Sequence, residues 1–524
     1  MRFACALLGL AGLGLVGCGG GSSEPAASPS SPSATTTAGP AAAGSTPVGT
    51  GAVGNPPPAA EPRAGSICER EQATVGELVC TKMQDGKLVW AGRDGQVQSG
   101  GPGASPGSGP GGGAKLGAGC ETAGTKQAGL ECRTMSDGML IWANLDGSIG
   151  APTGAMSLAQ GLAGPKGCDP NGPTRYSAPM VDPATVSYIY PLGAMTTTHI
   201  TPVDHIYVYY PEGTRPAGTY RITAPADGTV VDIQDFQKSN NYPYPDHRIV
   251  VAHSCRLFSV FIHVGPLSPA LAAAFTDGTL RAPVAVKAGD LLADDSANPG
   301  FDFSTFDEEV RLKLANPASY YGAEQWKPFT AGPFSYFPAE VRAAYERLSL
   351  RTEAPFDGRI DWDVPGTAQG IWFVQGTNGY RGVGSQSASY DNQGKTARGY
   401  WDTHLAIAPD AVDNSAIVFS VGDWDGCPCQ FMAKGNGIDP KTLTAGAAPT
   451  VVELVEFRYV NADGSRMNES KPTKGYRLVP GDKVAGLLVL QVEPDGSMRV
   501  EKLPGAASSS AFGGYGPKAL TYVR

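Results

Sequence analysis

The run Tyr220-Arg221-Ile222-Thr223-Ala224-Pro225-Ala226-Asp227-Gly228-Thr229-Val230-Val231-Asp232-Ile233 reads as a strand, an Asp-Gly turn and a second strand. Asp-Gly between alternating apolar residues is a strong short-range hairpin signal. Outward from it the same style continues. Val186 to Tyr190 and Ile206 to Tyr210 alternate like strands, Ile249 to His253 and Leu257 to Val264 make a further pair, and Val284 to Ala293 follows. Strands resume over Gly358 to Asp363, Val451 to Phe457, Leu487 to Val492 and Met498 to Glu501. Two helices interrupt them. One is expected after Ser304, with Asp307, Glu308 and Glu309 in its first turn, where the helix dipole favours acids. The other opens at Pro338 and runs through Leu348. Together they predict a mainly β protein with a helical insertion at about 300–351.

The chain has 524 residues, enough for several domains, with 17 % charged residues and 70 glycines, a composition that suits loop-rich β structure. The net charge is −9 and no Lys/Arg cluster stands out, which argues against nucleic acid as a partner, since phosphate binding needs a basic footprint. Residues 1–18 read as a signal. Arg2 supplies the positive end, Leu7 to Val16 the apolar middle, and Leu15-Val16-Gly17-Cys18 the end. The pattern resembles a bacterial lipoprotein signal, which implies lipid on the Cys18 sulfur and a mature chain tethered outside the cytoplasm. An ordinary secretory signal cut near Cys18 leads to the same exported, disulfide-permissive compartment. No later run of about 18 apolar residues exists, so lipid is the expected membrane attachment.

Residues 19–64 are rich in Pro, Ala, Ser, Thr and Gly, cannot bury a core and read as a disordered spacer. An internal repeat follows, at 65–97 and 117–149 with a linker at 98–116 between them. Cys68 and Cys80 stand twelve apart and Cys80 and Trp90 ten apart; Cys120, Cys132 and Trp142 repeat both spacings. Asp85-Gly86 and Asp137-Gly138 supply the turns. A unit of about 33 residues is too small for an adequate core, so a disulfide is the natural staple. Cys68–Cys80 and Cys120–Cys132 are the expected pairs, and the two beads serve either as wall- or ligand-binding modules or as stabilised spacers. Of the remaining cysteines, Cys427 and Cys429 are too close to bond each other without strain. They are expected to pair with Cys168 and Cys255, three connectivities being open for the four. A second linker at 150–184 leads into the main domain, 185–505, and 506–524 reads as a tail.

Six histidines are present, and His199-Ile200-Thr201-Pro202-Val203-Asp204-His205 packs two of them and a carboxylate into seven residues. Neutral imidazole and carboxylate oxygen are zinc ligands, and a catalytic zinc needs three of them plus a water. Extended backbone would turn Asp204 and His205 to opposite faces, so a bend is needed for both to reach one ion. His247 and His253 read as structural histidines. Gly366 to Phe373 and Gly376 to Tyr380 form either the lip of a groove or tight turns around a buried Trp372.

The order of these segments resembles the lysostaphin/LytM-type zinc endopeptidases, which cut peptidoglycan cross-bridges. The resemblance covers about 185–410. It rests on the Pro225 to Val231 hairpin, the Phe261-Ile262-His263 strand and the Val286 to Leu292 turn, with Thr403-His404-Leu405-Ala406 placed as the last strand. It implies a lysostaphin-like β-sandwich, a duplicated hybrid motif with a helical insertion, preceded by the two small disulfide-stapled β modules. It also implies His263 and His404 as catalytic helpers and His199 and Asp204 as zinc ligands, with His205 substituting for the third, as His199, Asp204 and His205 or as His205 with His404. The departures are in the metal motifs. His199 and Asp204 are five apart instead of four, and Ala406, at the remaining ligand position, has no donor atom.

The resulting expectation is an exported, lipid-anchored envelope protein whose degenerate peptidase domain binds cell-wall peptide or glycan. The alternatives are an active zinc endopeptidase acting on peptidoglycan peptides and a purely structural envelope protein. Lipid on Cys18 predicts that Cys18→Ser abolishes incorporation of an alkynyl fatty acid and moves the protein from the membrane to the soluble exported fraction. Metabolic labelling and fractionation check this.

Overall fold

The computed structural model describes residues 74–75, 78–82, 88–92, 124–127, 130–134, 140–144, 157–213, 215–237, 244–321, 323–382, 400–426 and 428–524. The signal, the spacer, Cys68, Cys120 and Cys427 lie outside them. The first repeat belongs to one compact unit, 21–112; the second repeat and everything after it belong to the other.

Each repeat is a three-stranded antiparallel sheet, and the two have the same register. Thr74–Val75, Leu78–Lys82 and Leu88–Gly92 place Cys80 opposite Trp90. Lys126–Gln127, Leu130–Thr134 and Leu140–Asn144 place Cys132 opposite Trp142. Cys132 is buried and disulfide-bonded.

The main region is mainly β. Its first body is an eight-stranded antiparallel sheet in the order Val284–Val286, Gly228–Asp235, His247–Ala252, Leu257–Val264, Gly300–Asp307, Ile206–Tyr209 and Tyr188–Tyr190, with Thr330–Ala331 also paired to Gly300–Asp307. Strand alternation splits the apolar residues between two faces. Ile206, Val208, Ile249, Val251, Phe261, Phe301 and Phe303 enter one core, while Val250, Phe258, Val260 and Phe306 enter another. The second body is a closed barrel of eight strands in chain order, from Gly370–Val374 through His404–Pro409 to Leu520–Val523, the last pairing with the first. Trp372, Leu405, Ile407, Leu454 and Leu490 fill it. Ala406, Ala408, Tyr459 and Tyr476 face out of the barrel and pack against Tyr190 of the sheet, where the Tyr190 and Tyr476 hydroxyls hydrogen-bond to each other.

Several expectations are corrected. Arg221–Thr223 does not pair across the Asp227-Gly228 turn. It pairs with Leu291–Asp294, and the strand after the turn pairs with His247–Ala252 and Val284–Val286. Pro225 has no N–H to give to a hairpin ladder, and Asp227 instead accepts from Lys287 Nζ at 2.8 Å and Ala288 N at 3.0 Å. The helix expected after Ser304 is a fully buried strand, Gly300–Asp307. Asp307 is not a first-turn acid; it holds Arg256 in a two-point pair at 2.7 and 3.0 Å. The second helix is present as Ala339–Leu348, begun at Pro338. Residues 506–524 contribute the strand that closes the barrel rather than a tail. Cys168 bonds Cys255, so neither pairs with Cys427 or Cys429.

The outer end of the strand His404–Pro409 carries Asp410, buried beside Tyr190, Tyr459 and Tyr476. Burial pushes its carboxyl up from 3.8 to about 6, against the pull of the Val412 and Asp413 N–H groups that it accepts at 2.9 and 2.8 Å. With the folded value above the unfolded one, stability falls as pH rises from 3.8 to about 6 and stays lower above it. An amide keeps the accepting oxygen and carries no charge. Asp410→Asn therefore raises stability at pH 8 by roughly 2 kcal/mol relative to the native chain, and the gain vanishes near pH 4. Urea unfolding at the two pH values reads it.

Candidate functional site

The polar site starts where the chain enters the strand Ile206–Tyr209. Ile206 and Val208 are committed to the core, so Tyr207 and the residues leading into the strand turn to the opposite face. A bend at 204–205 brings the side chains of two consecutive residues together. His205 Nδ1 lies 3.2 Å from Asp204 Oδ1. On the neighbouring strand Asp302 occupies the same face, and its Oδ2 is 3.5 Å from His205 Nε2 and 3.7 Å from His263 Nε2. His263 Nδ1 in turn lies 3.1 Å from Asp246 Oδ1 and 3.2 Å from Oδ2. The result is an alternating row, Asp204, His205, Asp302, His263, Asp246, drawn from four separate parts of the chain. Side-chain exposure along it is 17 % at His263 and 11 % or less elsewhere.

Backbone strain holds one member in place. His263 adopts φ +65°, a left-handed conformation uncommon for a side-chain-bearing residue. Asn298 Nδ2 donates to the His263 carbonyl at 2.9 Å and to Asp295 Oδ1 at 2.7 Å, and Gly265 N donates to the same Asp295 oxygen. Burial pushes Asp295 well above the usual carboxylate range.

The charges follow from the row. Burial pulls His205 down, but Asp302 and Asp204 outweigh it and its pKa is raised. His263 is raised in the same way, burial being overcome by the Asp246 hydrogen bond and the Asp302 charge. Burial raises Asp302 against the pull of both imidazoles. Burial would raise Asp204 too, yet the charge of Lys327 and the His205 contacts hold it below the usual range. His199, 5.9 Å from His205 between ring centroids, is lowered to about 3 by burial and by the charges of His205 and Lys327.

His404 stands apart from the row. It lies in the barrel, 1 % exposed, and its Nε2 donates to the Tyr380 carbonyl at 2.9 Å. Its ring packs on Phe373 at 5.0 Å and Tyr380 at 5.1 Å, and burial lowers it to about 3. The strand beside His263 is Gly300–Asp307, and Asp302 takes the place expected of His404. His253 is structural as read, bonded to Ser259 Oγ at 2.9 Å and the Asp227 carbonyl at 3.0 Å. Trp372 is buried in the barrel strand Gly370–Val374, its Nε1 donates to the Ala368 carbonyl at 3.0 Å, and turns at 365–366 and 375–376 bracket it.

Of the expected zinc set, His199, Asp204 and His205, Asp204 Oδ1 meets His205 Nδ1 at 3.2 Å and the His199 ring stands 5.9 Å from the His205 ring. Among the described residues no group of three His, Cys, Asp or Glu is arranged to hold a metal ion. What the row does offer is polar valence. Asp204 Oδ2, His205 Nε2 and Asp302 Oδ1 are buried without a hydrogen-bond partner among the described residues. Leaving such atoms without a partner is costly.

Asp246, Asp302 and Lys327 escaped the sequence reading. Each carried a signal, a charge flanked by large apolar residues: Tyr244-Pro245-Asp246, Phe301-Asp302-Phe303 and Trp326-Lys327-Pro328-Phe329. Such charges are buried only when paired. Because Asp302 raises both His205 and His263, Asp302→Asn lowers both pKa values, as burial is then less opposed. A pH titration of the imidazole Cε1 resonances reads this as two histidines moving down together; unchanged values would contradict the shared-carboxylate geometry. No protein-family model matches the chain, and neither a curated protein nor a solved structure does.

Proposed function

We propose that the chain is an extracytoplasmic, lipid-anchored envelope protein in which a lysostaphin-like sheet has become a binding site for cell-wall peptide or glycan. The spacer would tether the folded parts to the membrane, and the two beads follow it in the chain. The observation that carries this reading is the set of buried, unpartnered atoms on Asp204, His205 and Asp302, beside the half-open His199 and His263. Acceptors and an imidazole nitrogen in a water-poor setting suit the amides and hydroxyls of peptide and glycan, and such groups fix orientation in a largely apolar surround. Support also comes from the resemblance at the hairpin, the His263 strand and the Val286 to Leu292 turn.

On this reading the row works by hydrogen bonding and charge, its carboxylates being engaged with imidazoles.

The test is retention of the detergent-solubilised full chain on isolated peptidoglycan sacculi. The native chain is expected to sediment with sacculi without releasing soluble muropeptides, and Asp302→Ala to lose about tenfold in affinity, as removing a buried hydrogen-bonding partner does. Asp410→Asn, in the barrel, is the control that keeps binding. Zinc-dependent release of muropeptides would establish the endopeptidase instead, and absence of both retention and release would leave a structural envelope protein.

A further inference from the structure

A line of aromatic rings leads up to the polar row. Tyr207 and Tyr209 follow His205 along Ile206–Tyr209, and because Ile206 and Val208 enter the core, both tyrosines turn to the face that carries Asp302. Register fixes their neighbours. Tyr188 stands opposite Tyr209 and Tyr190 opposite Tyr207 on one side, and Asp302 stands opposite Tyr207 on the other. The rings follow one another closely. Tyr188 and Tyr209 stack at 4.7 Å between centroids, Tyr209 and Tyr207 lie 6.4 Å apart, and Tyr207 meets His205 edge to face at 4.8 Å. Beyond Asp302 the line is taken up by His263, whose ring is 6.4 Å from that of Phe236. From the strand of Tyr188 to the strand of His263 is three strand spacings, roughly 14 Å at about 4.8 Å each.

Tyr188, Tyr207 and Tyr209 rest on the cluster that joins sheet and barrel, and each stays half-buried, as do His263 and Phe236. Packing therefore fixes the rings without enclosing them. A ligand lying along the line meets two kinds of partner. Aromatic faces are electron-rich and attract positively polarised C–H groups. Asp204 Oδ2 and Asp302 Oδ1, buried at the end of the line, are carboxylate oxygens, which only accept. A pyranose brings both complements on one unit, C–H groups on its faces and hydroxyl donors around its rim. A peptide matches less well. Added to a sheet, it pairs through its backbone with an open strand edge, whereas this line crosses four strands on their face. Its free carboxylates would also meet a row of three carboxylates and two imidazoles.

We propose that this face is a carbohydrate site: Tyr188, Tyr209 and Tyr207 are stacking platforms for successive pyranose rings of a glycan strand, and Asp302 and Asp204 accept from its hydroxyls. The proposal rests on the binding reading above and selects the glycan over the peptide.

Retention on whole sacculi tests that underlying reading; the ligand class is tested by separating the two parts of the wall polymer. Amidase digestion of sacculi gives glycan strands free of peptide and soluble stem peptides, and each is titrated calorimetrically into the detergent-solubilised full chain. The glycan strands are expected to bind and the peptides not to. Tyr209→Ala and Tyr188→Ala are each expected to lose about tenfold in glycan affinity, and Tyr209→Phe, which keeps the ring, to recover most of the loss. Tyr188 lies on a three-residue edge strand, so its alanine variant serves where Tyr209→Ala folds poorly. On the native chain, saturation of the tyrosine ring protons is expected to pass to the C–H protons of the bound sugar in an NMR transfer measurement. Binding of the peptides in place of the glycan strands would overturn the proposal, as would unchanged glycan affinity in the folded alanine variants or the absence of saturation transfer. Retention on whole sacculi with neither fraction binding would overturn it alone, whereas no retention on sacculi would remove the binding reading and this proposal with it.

Discussion

A single carboxylate, Asp302, lies between two imidazoles on the buried face of a central strand, and the geometry around it follows from that placement. A lone buried anion is costly and draws cations or donors toward it. His205 and His263 answer that need with Nε2, and each then needs something at Nδ1. Asp204 and Asp246 provide it. Once the row is set, the backbone at its ends is constrained: the chain must bend at 204–205, and His263 must enter the left-handed region before the turn at Gly265. Asn298 and Asp295 hold that second constraint from behind. The row is therefore a folding constraint as well as a candidate site, and the directions of its pKa shifts are consequences of one shared charge.

The strand carrying Asp302 explains how far the chain could be read in advance. Strands with one clean apolar face, such as Ile206–Tyr209 and Leu257–Val264, were legible because period-two alternation survives when the partner faces differ. Gly300–Asp307 is buried throughout, with phenylalanines on both faces and polar residues bonded inside, so its pattern imitates neither an amphipathic strand nor a turn. The acids Asp307, Glu308 and Glu309 then suggested a helix start, whereas Asp307 is spent on Arg256 and Tyr336. The hairpin at Asp227-Gly228 failed for a different reason. Its turn chemistry was right, but Pro225 and the long-range pairing of Arg221–Thr223 with Leu291–Asp294 overrode the local partner.

The candidate site was half legible. Spacing drew attention to His199, Asp204 and His205 and the resemblance to His263, and three of these do meet in the row. Asp246, Asp302 and Lys327 come from segments about 40 to 120 residues away from His205, and nothing in a single sequence says which distant charges will face each other across a sheet. His404 was misplaced because its local run looks like a strand bearing a histidine, which it is. The strand belongs to the barrel, and the histidine is enclosed by Phe373 and Tyr380. Closed barrels and flat sheets share the same two-residue period, so the body to which a strand belongs is decided by pairing alone.

A fixed ammonium and a metal ion differ in what they allow a cluster to do. Zinc offers an open coordination position and a bound water brought to a pKa of about 7, so a site built on it can attack a carbonyl. An ammonium has three donors and no vacancy. Lys327 is placed against Glu324 and Tyr380, and burial keeps the imidazoles of His199 and His404 neutral. Neutral imidazoles, one half-open and near buried acceptors, can donate and accept hydrogen bonds at ordinary pH without changing charge. A surface that recognises uncharged amides and hydroxyls, as proposed above, needs that constancy.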